Sequence, residues 1–159
     1  MKLYIRQRIF SIGDKYDIID ESGAPVFNVR SEVFSFGAKI HLCDMTDSEL
    51  YYIEQRLFRF LPEYHIYNMQ GECAVVNKRM SFFKARLDID SAFGQYEIDG
   101  DVFAMDFVIT RNGGMVGSIA KKWLSFGDSY ELDIGSDEDA GFFCALVVAI
   151  DHCLHNENK

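Results

Sequence analysis

Four basic side chains cluster in the middle of the chain, at Lys78, Arg79, Lys84 and Arg86, on a stretch that contains no acidic residue. Clusters of basic side chains recognise anionic lipid headgroups, and each basic side chain contributes about 1 kcal/mol of binding free energy near an anionic surface. Four of them give roughly 4 kcal/mol, which corresponds to a dissociation constant of about 1 mM. These residues are therefore the candidate lipid-binding site, with weak binding expected. A solvated strand face whose bases are neutralised by ion pairs is the preferred interpretation.

An acidic stretch follows, from Asp88 to Asp106, with six carboxylates and no base. Asp99-Gly100-Asp101 lies near its centre, and Ca²⁺ favours such oxygen ligands. A dedicated calcium loop would alternate its ligands and close with a bidentate Glu, and that pattern is absent. Solvated turns are therefore the preferred interpretation of this stretch.

A second set of metal-ligand types, His152, Cys153 and His155, lies near the C-terminus. A closed zinc site needs four ligands, and no other residue pairs with these three by spacing. The sequence therefore predicts no metal site and no cofactor.

Nucleophilic catalysis would need a Ser, Cys or Thr beside a His and a carboxylate. The chain has no GxSxG elbow, and Ser118 lies inside a predicted strand. His41 and His65 stand alone in predicted strands, where a surface or half-buried position is the ordinary arrangement. We therefore expect a protein that is not an enzyme.

The composition is that of an acidic chain of one-domain size. It has 159 residues, a formal charge of -9 and a sequence pI near 4.8. At this length one core is expected, so residues 1–159 are predicted to form a single domain. The negative charge opposes nucleic acid as a partner and also works against anionic membranes. The expected partner is therefore an unknown protein or an anionic lipid.

The sequence predicts neither secretion nor a membrane span. Arg6 and Arg8 interrupt the place where a signal peptide would need an apolar segment. The longest apolar run, Ala140 to Ile150, would rise about 16 Å as a helix, against about 30 Å for a bilayer core. The cysteines lack CxxC spacing and are interpreted as reduced thiols of a cytoplasmic protein. They are Cys43, Cys73, Cys144 and Cys153.

From residue 3 to residue 134, short segments alternate apolar and polar side chains and are separated by turn residues. This is the pattern of an all-β fold. The predicted strands are Leu3–Phe10, Lys15–Asp20, Val26–Glu32, Lys39–Met45, Leu50–Phe58, Tyr64–Met69, Cys73–Arg79, Lys84–Asp90, Tyr96–Phe103, Met105–Thr110, Met115–Trp123 and Ser129–Ile134.

Part of this pattern repeats at an offset of 48 residues. The sequence YIRQRIF at 4–10 returns as YIEQRLF at 52–58. The turn glycines Gly23 and Gly71 match at the same spacing. A third copy is suggested by the SFG sequences at 35–37 and 125–127, each of which follows a turn glycine at the same distance. Repeated hairpins of this kind build one sheet or barrel.

The pattern changes after Ile134. Ser136 is predicted to be a helix N-cap, and the acidic residues after it suit the positive end of a helix dipole. The helix is predicted to run to about Leu154 and is apolar on every face from Ala140 to Ile150, so it must be buried all round. Asp151 is expected to satisfy backbone or barrel-rim groups. One wholly apolar helix after about twelve strands fits the interior of a closed β-barrel, which also removes exposed strand edges.

Several blocks of sequence carry a resemblance to a known family. They are YIRQR at 4–8, YIEQRLFRFLP at 52–62, GDVFAMDF at 100–107 and WLSFGDSYELDI at 123–134, followed by the apolar helix. With them, nearly the whole chain resembles the bacterial branch of the LURP-one-related (LOR, DUF567) family, in the tubby C-terminal-like superfamily. The resemblance implies a twelve-stranded barrel around a hydrophobic helix and no known reaction. Relatives with this fold include phosphoinositide-binding tubby proteins and phospholipid scramblases, whose functional residues do not map onto this sequence.

The primary hypothesis is thus a non-enzymatic binding or scaffold module that acts through the outer surface or rim of its barrel. The second is peripheral binding of anionic phospholipid headgroups, which needs a focused basic patch. A hydrolase, which needs a polar constellation in a cleft, is the third.

Overall fold

The computed structural model describes residues 1–6, 15–32, 35–81, 84–101, 104–125 and 127–156. Within these ranges the chain forms twelve β-strands followed by one helix. The strands are β1 Lys2–Arg6, β2 Lys15–Asp20, β3 Pro25–Ser31, β4 Lys39–Asp44, β5 Glu49–Arg56, β6 Glu63–Asn68, β7 Gly71–Lys78, β8 Lys84–Ser91, β9 Gly94–Asp101, β10 Asp106–Arg111, β11 Gly114–Leu124 and β12 Gly127–Ile134, and the helix is α1 Ala140–Asn156.

The sheet closes on itself. Each strand pairs antiparallel with its neighbours in sequence, and β1 also pairs with β12. At this closing seam Leu3 lies opposite Leu132 and Ile5 opposite Tyr130, and all four side chains are buried. The predicted fold class, a closed twelve-stranded barrel with a C-terminal helix, is confirmed for the described residues.

The helix runs inside the barrel. Every residue from Phe142 to Leu154 is buried. The helix contacts β1 and also β7, which lies on the opposite side of the ring of strands. A helix with apolar side chains on all faces is stable only in such surroundings, so the pattern that predicted a central helix is explained by the barrel around it.

The two ends of the barrel carry different loops. Because neighbouring strands are antiparallel, the loops that follow odd-numbered strands lie at one end and those that follow even-numbered strands at the other. The helix follows β12, so it begins at the second end and terminates at the first. We call the end at which the helix terminates the upper rim, with its described loop residues 35–38, 57–62, 79–81, 104–105 and 125 and the strand residues that flank them. The other end is the lower end.

The start of the helix differs from the sequence prediction. The helix begins at Ala140, and the carboxylate of Asp139 accepts a hydrogen bond from the Phe142 N–H at 2.9 Å. Asp139 is therefore the N-cap, and the prediction of Ser136 was wrong. Aspartate and serine cap helices about equally well, so the helical pattern could not choose between the two positions.

Most strand boundaries agree with the predicted ones to within two residues. The strand predicted to reach Phe58 ends at Arg56, because Phe58 adopts a φ of 61° in the left-handed region. Similarly, β10 begins at Asp106 and not at Met105, whose φ is 54°. The predicted C-terminal ends of β1 and β9 lie outside the described residues.

The internal repeat corresponds to positions four strands apart. Ile5 in β1 and Ile53 in β5 are both fully buried. Gly23 and Gly71 form the β2–β3 and β6–β7 turns with φ of 84° and 115°, and Gly113 has a φ of 87° in the β10–β11 turn, again four strands on. The barrel is thus built from units of four strands.

Candidate functional site

The fold brings the four predicted basic residues to one hairpin of the upper rim. Lys78 ends β7, Arg79 follows it, and Lys84 begins β8. Arg86 lies further along β8, where its carbonyl accepts a hydrogen bond from the Arg79 N–H at 2.8 Å. The four residues therefore lie on one hairpin at this end of the barrel.

Carboxylates neutralise part of this cluster. Arg79 forms an ion pair with Asp88, and Arg86 lies 3.3 Å from Glu97 and 3.6 Å from Asp99. Exposed ion pairs of this kind contribute little to stability, but they reduce the positive charge that an anionic ligand would meet. The acidic stretch therefore supplies partners for the neighbouring arginines.

The upper rim also exposes aromatic side chains. Phe36, Phe58, Phe60 and Trp123 are 89%, 102%, 89% and 78% exposed, respectively. They stand on the β3–β4 and β5–β6 loops and on the end of β11. These exposed apolar side chains make the upper rim a candidate interaction surface.

The loops that carry these rings are braced against each other. The hydroxyl of Ser35 donates to the Gly37 carbonyl at 2.7 Å, and the Ala38 N–H donates to the Gln55 side chain at 3.1 Å. Gly37 has a φ of 77°, and a Cβ at this position would lie 2.8 Å from Leu57 Cδ2. The β3–β4 loop that carries Phe36 is therefore held against Gln55 and Leu57.

Basic residues concentrate at the same end. Of the Lys and Arg residues that the structure describes, all except Lys2 and Arg111 lie in an upper-rim loop or in the upper half of a strand. The acidic residues are spread over the whole barrel, with the larger share at the lower end. Among the described residues, basic side chains therefore outnumber acidic ones in the upper half, and the negative charge is concentrated in the lower half.

A buried polar group lies beneath the upper rim, at the C-terminal end of the helix. The Tyr130 hydroxyl donates to Asp151 Oδ1 at 2.9 Å, and His155 Nδ1 lies 2.8 Å from the same oxygen. These contacts join the helix to β12. Asp151 therefore binds barrel side chains near the rim, in keeping with the structural role expected for it.

His152 and Cys153 lie next to Asp151 in the sequence. His152 Nδ1 lies 2.7 Å from the Tyr64 hydroxyl, on another wall of the barrel, and Cys153 is fully buried. In the part of the chain that the structure describes, no three His, Cys, Asp or Glu side chains are placed to hold a metal ion. All four cysteines are buried, and they form no disulfide with one another.

His41 and His65 lie half-buried on the outer wall, each between two glutamates. His41 contacts Glu32 and Glu49, and His65 lies 3.0 Å from Glu63 and 2.7 Å from Glu72. In each case the two carboxylates approach different ring nitrogens, so they do not converge on one point. The hydrogen bond from His65 lowers the pKa of the Glu63 carboxyl below its usual range.

The central glycine of Asp99-Gly100-Asp101 has a packing role. Gly100 lies opposite Phe107 in β10, and a Cβ at Gly100 would come within 2.0 Å of the Asp106 carbonyl oxygen. The Asp99 carboxylate lies 3.6 Å from Arg86, so it pairs with an arginine. The sequence pattern that resembled a calcium loop is explained by this close approach of two strands.

The exposed aromatic residues were missed by the sequence analysis. Phe58 and Trp123 were placed within strands, and Phe36 was noted only as part of a repeat. The sequence contains one indication of this aromatic rim: apolar residues recur in the loops that follow odd-numbered strands. Only a closed antiparallel barrel places those loops at one end.

The chain matches the LURP-one-related family over residues 1–151. The chain belongs to this family. A region of 82 residues, which is 52% of this chain, is 37% identical to the uncharacterized protein YxjI of Bacillus subtilis (strain 168). The matched region covers 49% of that protein, so the chain spans about half the length of this curated relative. No solved structure matches the chain.

Proposed function

We propose that this LURP-one-related chain is a non-enzymatic binding module whose upper rim docks on anionic membrane surfaces. The observation that carries the proposal is the coincidence of exposed Phe36, Phe58, Phe60 and Trp123 with the end of the barrel where basic residues concentrate. In the described ranges no helix has the length and apolarity to cross a membrane. The proposed contact is therefore peripheral, through the loops.

The aromatic side chains change the energetics of the original lipid hypothesis. The hairpin bases alone give about 4 kcal/mol, and the ion pairs of Arg79 and Arg86 reduce that figure. Burying four large apolar side chains adds about 6 kcal/mol at the low value of about 1.5 kcal/mol each. The apolar contribution therefore exceeds the electrostatic one. Binding by this rim should weaken with salt without disappearing.

The chemistry of the rim suits the region between headgroups and acyl chains. Tryptophan has an apolar body and one N–H donor, so it favours the membrane interface. Lys84 and Lys122 are exposed beside the rim, where ammonium groups would meet lipid phosphates. Docking in this orientation turns the acidic lower end away from the anionic surface, which removes the objection raised by the net charge.

Flotation with vesicles tests the proposal. The purified chain is mixed with phosphatidylcholine vesicles, with or without phosphatidylserine, at low and at physiological salt. We expect flotation with the anionic vesicles at both salt concentrations and much less with the neutral ones. The combined substitution Phe58→Ser and Phe60→Ser should abolish flotation, and replacement of Lys78, Arg79, Lys84 and Arg86 by Gln should weaken it chiefly at low salt, where charges are least screened.

The matched control is the combined substitution Met69→Ser and Met115→Ser, which removes exposed apolar side chains from the lower end. This variant should float as the parent chain does. Absence of flotation with anionic vesicles at either salt concentration would contradict the proposal and leave a protein partner as the ligand of the module.

A further inference from the structure

The lower end of the barrel holds a cleft that the proposed membrane contact does not use. It has a volume of about 480 Å³ and lies over the first turn of α1, between β3, β5 and the β6–β7 and β8–β9 turns. Clefts of a few hundred Å³ suit small molecules. We infer that this cleft binds a small organic ammonium ion that carries apolar substituents.

The walls of the cleft are aromatic and fixed by the core. Phe27, Tyr51 and Phe93 line it. The Phe93 and Tyr51 rings pack on Phe142 of the helix, with centroids 5.0 Å and 5.9 Å away. Gly141 permits this approach, because a Cβ there would lie 3.3 Å from Tyr51 Cε2. The aromatic surface is thus formed before any ligand arrives, which reduces the entropy cost of binding.

The charged groups of the cleft are carboxylates. Glu49 and Asp139 line it, and among the described residues no Lys or Arg does. The nearby Arg111 lies 2.8 Å from Glu138 and over the Tyr96 ring, so its charge is already matched. An anion at the helix N-terminus would meet Asp139, which already caps the helix. The cleft therefore selects a positive ligand.

The positions of the carboxylate and the rings suit an ammonium group better than a metal ion. Asp139 is held by hydrogen bonds from the Phe142 N–H at 2.9 Å and the Tyr51 hydroxyl at 2.6 Å, so it can contribute charge without reorganising. Aromatic faces attract organic cations by a cation–π interaction. A metal ion would need several converging oxygen ligands, and the aromatic walls supply none.

Choline and its neutral isostere 3,3-dimethylbutan-1-ol are the probes that test this inference. Each is titrated into the isotope-labelled full chain, and backbone resonances are followed by NMR. We expect choline to shift the resonances of Tyr51, Phe93 and Gly141 saturably, with the isostere binding at least about tenfold more weakly because it lacks the charge. Equal binding of the two probes, or no saturable shift with choline, would overturn the inference.

Two substitutions locate the binding site. Leu50→Trp fills the cleft, and Glu49→Gln removes a charge from its wall, so both should weaken choline binding several-fold. Met115→Ser, outside the cleft at the same end, is the control and should leave it unchanged. Unchanged binding by the Leu50→Trp variant would place choline elsewhere and overturn the inference. The experiment contains no lipid, so its failure and that of membrane docking are distinguishable.

Discussion

Tyr130 in β12 donates a hydrogen bond of 2.9 Å to the carboxylate of Asp151 near the end of the central helix. Both residues are buried, and their contact ties the only described helix to the strand that closes the barrel. The same carboxylate lies 2.8 Å from His155 one turn later. A carboxyl group is thus accommodated inside an apolar barrel because side chains from the wall and the helix both bind it.

Removal of the Tyr130 hydroxyl should destabilise the barrel. In Tyr130→Phe the buried Asp151 loses a donor, and we expect a decrease of about 1–3 kcal/mol in the free energy of unfolding. Urea denaturation measures it. Tyr4→Phe is the control, because the Tyr4 hydroxyl donates to the partly exposed Glu131 at 3.0 Å, where water can replace it. Equal effects of the two substitutions would contradict the role given to the buried contact.

The central position of the helix predicts a much larger effect at Leu146, which is fully buried. Leu146→Asp places an unpaired carboxylate in the core and should prevent folding. Leu146→Met conserves volume and should cost less than about 1.5 kcal/mol. Circular dichroism and thermal melting distinguish the two. A folded Asp variant with the parent's melting temperature would show that the helix does not occupy the barrel interior.

The close approach of β9 and β10 predicts a steric effect at Gly100. Gly100→Ala forces a Cβ against the Asp106 carbonyl, and we expect a loss of about 2 kcal/mol or more in stability. Gly113→Ala is the comparison, because nothing lies within 4 Å of its Cβ and only its φ of 87° opposes the substitution, at about 1 kcal/mol. Chemical denaturation of both variants measures the difference. The reverse order of stabilities would contradict the close strand contact.

Two equivalent turns predict part of the acid sensitivity. Hydrogen bonds from the Ser22 and Thr46 hydroxyls and from nearby backbone N–H groups lower the pKa values of Asp20 and Asp44, respectively. A carboxyl with a lower pKa in the folded state stabilises the fold above its unfolded pKa of about 3.9 and loses that contribution as the pH falls through the folded value.

We therefore expect the combined substitution Asp20→Asn and Asp44→Asn to flatten the fall of the urea midpoint below about pH 4. Asp17→Asn, on the outward face of β2, is the control for loss of an exposed strand carboxylate and should leave that fall in place. A double variant with an unaltered pH dependence would contradict the role assigned to the turns.

The barrel could be predicted from the sequence because its rules are local. Period-two alternation fixes which side chains face inward, and a wholly apolar helix has few places to lie. The N-cap was misplaced because Ser136 and Asp139 are both good caps, and only the packing of Phe142 against Tyr51 and Phe93 sets where the helix begins.

The candidate sites depended on contacts between distant segments. Lys78, Arg79, Lys84 and Arg86 are close in sequence and were found together. The ion pairs of Arg86 with Glu97 and Asp99 follow from the pairing of β8 with β9, which composition does not reveal. The aromatic rim is harder to predict, because the loops that carry Phe36 and Trp123 come to the same end of the barrel only when the sheet closes.

The fluorescence emission of Trp123 tests the membrane contact most directly. Trp123 is the only tryptophan in the chain, and it is 78% exposed on the upper rim. On addition of phosphatidylserine-containing vesicles, we predict a shift to shorter wavelength and quenching by lipids with brominated acyl chains. Phe58→Ser with Phe60→Ser should remove both changes, and Met69→Ser with Met115→Ser should preserve them. Emission that stays unchanged with anionic vesicles would contradict docking through this rim.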